Sequence, residues 1–122
     1  MWSTACLRTP HYVGVQLATC YGRLGLAREA DRVWQQLIPS APATARWDVG
    51  VWVGRQAVAV ASLGEPERAV ELTRRAAGVA AETGSERARR ELAAVEAAMA
   101  PWQAEPVGQD LTEALAPIGK GV

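Results

Sequence analysis

A chain of 122 residues with 13 basic and 13 acidic side chains carries no net formal charge. Phosphate binding needs a positive face, so direct nucleic-acid contact is not expected of it. Hydrophobic residues make up 49% of the chain, enough for one domain with a modest core, yet phenylalanine is absent and much of the apolar content is alanine. Alanine packs helices closely while burying little area, so Trp34, Trp47, Trp52 and Trp102 carry much of the expected core.

The predicted elements are helical almost throughout. Over residues 11–24 the apolar positions Val13, Leu17, Cys20, Tyr21 and Leu24 recur at helical spacing, with Pro10 ahead of the run and Gly25 breaking it. A second helix over residues 27–38 presents Ala30, Val33, Trp34 and Leu37 on one face, and Pro39 and Pro42 end it. Residues 46–54 alternate valine with other residues, which locally reads as a strand. The run continues without a turn signal to Ser62, and its exit at Leu63-Gly64 matches the earlier exit at Leu24-Gly25, so a helix over residues 43–62 is the better reading. Gly50 and Gly54, four apart, then share a face and permit close approach of a neighbouring helix.

Glu65-Pro66-Glu67 opens a fourth helix, with proline in the first turn and acid near the positive end of the dipole. Thr83-Gly84 stops it and Ser85 caps a fifth helix over residues 86–100, whose stripe is Ala88, Leu92, Val95, Met99 and Trp102. That stripe suits either a terminal repeat helix or a coiled-coil seam. After Pro101 the chain is poor in large apolar residues, and residues 103–122 are expected to be a loosely held tail with at most a short helix at 109–116.

The arginines of residues 74–90 resemble a basic patch, but four-residue spacing pairs Glu71 with Arg75, Glu86 with Arg90, and Arg87 with Glu91 on a solvated face. Cys6, Cys20 and the single histidine, His11, have no metal-ligand spacing, so neither metal nor cofactor is expected. Residues 1–6 lack the basic and apolar regions of a secretory signal, which predicts a reduced, cytoplasmic setting. The most apolar stretch, residues 49–63, contains Arg55 and Gln56 and falls short of the roughly 20 residues of a membrane span. No phosphate loop, nucleophile elbow or paired-carboxylate arrangement occurs, so a non-enzymatic protein is expected.

Leu24-Gly25-x-x-x-x-Ala30 returns as Leu63-Gly64-x-x-x-x-Ala69, and a period in this range marks a helical repeat. The first hairpin, about residues 11–44, resembles a tetratricopeptide repeat through Leu17, Ala18, Tyr21, Gly25, Ala30, Trp34 and Pro42. The second, about residues 45–83, is similar through Ala57, Leu63, Gly64, Ala69 and Ala76, with Val60 in place of the aromatic and Thr73 in place of the second bulky residue. The wording of the second half, from Leu63 to Trp102, also resembles the C-terminal repeat region of helix-turn-helix transcriptional regulators of high-GC Gram-positive bacteria, without their DNA-binding domain. The resemblance implies an all-α fold of antiparallel hairpins stacked as a short right-handed solenoid over residues 1–102, closed by a capping helix at 86–100. It implies a protein or peptide partner, within regulation, in a groove lined by the first helix of each pair. Mapping the repeat places Tyr12, Gln16, Thr19, Arg23, Val51, Arg55, Val58 and Arg89 there, with Gln16, Arg55 and Arg89 at one repeat position as a polar row. The alternative is a structural unit that self-associates, as a homodimer, through its open repeat ends or through the seam of the helix at 86–100.

Overall fold

The computed structural model describes residues 10–119; Cys6 lies outside them, as does the side chain of His11. Among the described residues six α-helices follow in order: α1 (Pro10–Arg23), α2 (Ala27–Leu37), α3 (Arg46–Ser62), α4 (Pro66–Thr83), α5 (Glu86–Ala98) and α6 (Pro106–Ala114). Short 3-10 turns lie at Ile38–Ser40, Ala43–Ala45, Ala100–Trp102 and Ala116–Ile118. No strand occurs among the described residues, so the fold class is all-α, and the valine-rich segment is helical despite its local alternation.

The two Leu-Gly sites are the same turn made twice. Gly25 and Gly64 have φ of 77° and 79°, the left-handed region in which a Cβ is strained, so only glycine ends the helix there without strain. Leu26 N–H donates to the Tyr21 carbonyl at 2.9 Å, and Glu65 N–H donates to the Val60 carbonyl at 3.2 Å, closing equivalent six-residue caps. The next helix is entered identically, by Ala30 N–H to the Leu26 carbonyl and Ala69 N–H to the Glu65 carbonyl. Both alanines are buried. Gly84 closes α4 in the left-handed conformation, and Ser85 caps α5 by accepting from Ala88 N–H at 3.1 Å.

α3 is the central helix: it packs on α2, α4 and α5 and lightly on α1. Its glycines set the spacing. A Cβ added at Gly54 would lie 2.9 Å from the Glu91 Cβ on α5, and one added at Gly50 would lie 3.1 Å from the Val79 Cγ1 on α4. Their shared face is thus the one that lets α4 and α5 close in. Around it, Ala57, Ala69, Ala76, Ala77, Ala80 and Ala88 are completely buried, and Trp34, Leu92, Met99, Leu115, Val53, Val60 and Val95 supply the large side chains.

Four expectations are corrected by the packing. The chain beyond Trp102, expected to be loosely held, forms α6 and a final 3-10 turn, both packed on α4, with Val107, Leu111, Ala114, Leu115 and Ile118 buried. Gly108 lets α6 fold back closely on the turn before it, because a Cβ there would meet the Trp102 carbonyl oxygen at 2.5 Å. Trp52 is buried but Trp47 is 59% exposed, so it is no part of the core. On α1 the wholly buried residue is Ala18, while Val13, Leu17, Cys20 and Leu24 face outward, since α1 has neighbours on one side alone among the described residues. The charged face is paired differently: Glu71 accepts from Arg74, Glu91 pairs across helices with Arg55, and Glu86–Arg90 forms no ion pair.

A buried polar cluster ties α2, α3 and α4 together. The Asp31 carboxylate, 6% exposed, accepts from Gln56 Nε2 at 2.9 Å and Arg68 at 2.7 Å on one oxygen, and from Gln35 Nε2 at 3.0 Å on the other. Burial alone pushes its carboxyl up, but the hydrogen bonds from Arg68 and Gln56, with the Arg68 charge, outweigh that and hold it below the ordinary carboxylate value. Arg68 is shifted the other way, upward, chiefly by its hydrogen bond to Asp31.

Candidate functional site

Where α1, α3 and α5 lie side by side, small residues leave room. The C-terminal half of α1, the start of α2 and the second half of α3 enclose a cavity of about 290 Å³. Its walls include Ala18, Gly22, Ala27, Ala30, Ala59 and Ala94, with the edge of Trp34 and, on α3, Val58. The alanine-rich composition is therefore the cause of the cavity: larger side chains at these positions would fill it. A second cavity of about 550 Å³ adjoins it toward the start of α3, lined by Tyr12, Val15, Gln16, Cys20, Pro42, Ala45, Asp48, Trp52 and Arg87. Thr19, Arg23 and Arg55 line both.

Arg55 marks the junction. Its Nε donates to Glu91 on α5 at 3.1 Å and its guanidinium NH1 donates to the Thr19 hydroxyl on α1 at 3.2 Å. One side chain of the central helix thereby bridges both neighbours, with Arg55 and Glu91 each 25% exposed at the side chain. Partial desolvation strengthens such a charge-assisted pair beyond what a fully solvated one achieves.

The structure brings together six of the eight mapped groove residues: Tyr12, Gln16, Thr19, Arg23, Arg55 and Val58 all line one cavity or both. Val51 is 2% exposed and belongs to the core. Arg89 is elsewhere, donating to the Ile118 carbonyl at 2.6 Å and so pinning the final turn. The row across the three helices is Thr19, Arg55 and Glu91, separated by 36 and 36 residues, in place of Gln16, Arg55 and Arg89. Arg89 precedes Glu91 by two residues, about 200° around the helix, which puts it on the opposite face. Arg87, Asp48, Trp52 and Glu91 are site residues that the repeat mapping passed over. The 39-residue offset of the Leu-Gly turns leads from Arg55 to Ala94 and not to Glu91, so the repeat held no signal for it.

Among the described residues no three His, Cys, Asp or Glu side chains gather as a metal-binding set, and no helix is long and apolar enough to cross a membrane. The fold and site define an all-α helical protein with a composite groove across three helices. No family model, curated protein or solved structure matches the chain.

Proposed function

We propose that this chain is a non-enzymatic interaction module of tetratricopeptide type, which receives an extended protein segment in the groove of α1, α3 and α5 and serves regulation. The observation that carries the reading is the pair of adjoining cavities meeting at the Thr19–Arg55–Glu91 row. Repetition of the Leu-Gly turn with the same hydrogen bonds supports the repeat architecture, and stacked repeats of this kind offer continuous grooves to peptides.

Gly22 supplies the test. It lines the smaller cavity, and a Cβ there meets nothing within 4 Å, so Gly22→Leu is expected to add bulk at the cavity wall with no clash at its Cβ. Peptides selected from a displayed library of random dodecapeptides on the wild-type chain are expected to bind Gly22→Leu at least about tenfold more weakly. Selected peptides that bind both forms equally would place recognition outside this groove.

A second reading, self-association, rests on a separate observation. Val13, Leu17, Leu24 and Leu26 are 59, 44, 72 and 42% exposed on α1 and the turn after it. Outward residues of α6, by contrast, are Gln109, Asp110, Thr112 and Glu113. A polar face at one end and an apolar one at the other is what an uncovered repeat end requires of a second copy. Light scattering over a dilution series is expected to show a dimer that Leu17→Lys with Leu24→Lys dissociates; a wild-type monomer at about 100 μM removes this reading.

A further inference from the structure

The two cavities differ in chemistry, and the difference specifies the bound segment. The smaller is walled mainly by alanine, glycine, Val58 and the buried Trp34, with Thr19, Arg23, Arg55, Ser62 and Glu91 as its polar part, so it accepts an apolar side chain that has polar groups beside it. The larger is lined by three guanidinium groups, Arg23, Arg55 and Arg87, against the single carboxylate of Asp48. Arg55 is already engaged by Glu91, whereas Arg23 and Arg87 are exposed and enter none of the ion pairs among the described residues. In a chain of zero net charge this local excess is not a consequence of overall composition. Trp52, 8% exposed, gives the larger cavity a rigid wall beside these cations.

We infer that the groove recognises a peptide segment in which a bulky apolar side chain stands next to acidic side chains. The apolar group enters the alanine-walled cavity, and the carboxylates meet Arg23 and Arg87. This inference rests on the groove reading above. Because both arginines are exposed, their contribution is mainly to selectivity and to the encounter rate, and it weakens with salt.

The experiment uses the full chain and three fluorescein-labelled nonapeptides, each with a central leucine flanked on both sides by pairs of glutamate, glutamine or lysine, followed by anisotropy. The glutamate peptide is expected to bind about threefold to tenfold more tightly than the glutamine peptide, and the lysine peptide most weakly. Raising the salt to about 0.5 M narrows the gap. In an Arg23→Glu, Arg87→Glu variant, whose changes are at exposed positions, the preference is expected to invert toward the lysine peptide. Equal affinity of the glutamate and glutamine peptides, or an order unchanged in the double variant, overturns the inference. If in that case Gly22→Leu still removes binding of every peptide, the groove reading stands and only the acidic specificity falls. Binding untouched by Gly22→Leu, or no binding of any peptide, overturns both.

Discussion

Replacing Trp34 with alanine is expected to lower the free energy of unfolding by about 3–5 kcal/mol, while Trp47→Ala changes it by less than about 0.5 kcal/mol. The two side chains are chemically identical, so the contrast isolates the packing. Trp34 is 1% exposed on the inner face of α2, and truncating it leaves a cavity lined by a core whose alanines have no atoms with which to follow the collapse. Trp47 is 59% exposed at the start of α3, and its loss opens nothing. Urea unfolding followed by far-ultraviolet circular dichroism measures both. With stabilities of domains this size of order 5–15 kcal/mol, the Trp34 variant sits near the limit of folding. Similar midpoints for the two variants would contradict the packing described for α2.

Asp31→Ala is the second large effect, about 2–4 kcal/mol at neutral pH. It removes the acceptor of Gln35, Gln56 and Arg68 together. Gln56 is the most affected, since at 5% exposure it has no water to turn to, whereas Arg68 keeps its bond to Glu65 and is 36% exposed at the side chain. Charge also makes the effect pH-dependent. Asp31 has a folded-state value below its ordinary one, so between the two the unfolded chain binds more protons than the folded one, and stability rises with pH. The contribution is therefore fully present above about pH 4, the unfolded value, and is lost as pH falls through the folded value. Asp31→Asn keeps the shape and removes the charge. The gap in urea midpoint between wild type and Asp31→Asn is expected to be wide at neutral pH and to shrink in acid; a gap independent of pH would show that the Arg68 pairing contributes nothing.

Asp31 also shows where reading a sequence stops. It follows Ala30 and precedes Trp34 by three residues, so its place on the buried side of α2 is visible in the helical period. That a charge there is tolerable depends on Gln56 and Arg68, which are 25 and 37 residues away and arrive only through the packing of three helices. The same division applies to the groove. Tyr12, Gln16, Thr19, Arg23, Arg55 and Val58, mapped by repeat position, line the cavities, whereas Val51 and Arg89, mapped in the same way, do not. The pairing departs from the repeat alignment by three residues on α1, which replaces Gln16 by Thr19 opposite Arg55, and by two on α5, about 200°, which replaces Arg89 by Glu91.

Four helices, α1, α2, α4 and α5, were legible because their boundaries are local chemistry: glycine at left-handed turns, proline in first turns and serine at a cap each act within a few residues. The α3 segment was legible through repetition, since its own alternation pointed to a strand and the Leu63-Gly64 turn, matched to Leu24-Gly25, pointed to a helix. The sequence by itself thus determined the helical class and the turns. The tertiary structure alone decided that Trp34 is buried and Trp47 exposed, that α6 folds back at Gly108 and Arg89 pins the final turn, and that cations gather beside an alanine-walled cavity. The physical reason is range: backbone conformation is set by residues a turn away, while burial, cavity shape and charge pairing are properties of surfaces that meet only when distant helices pack.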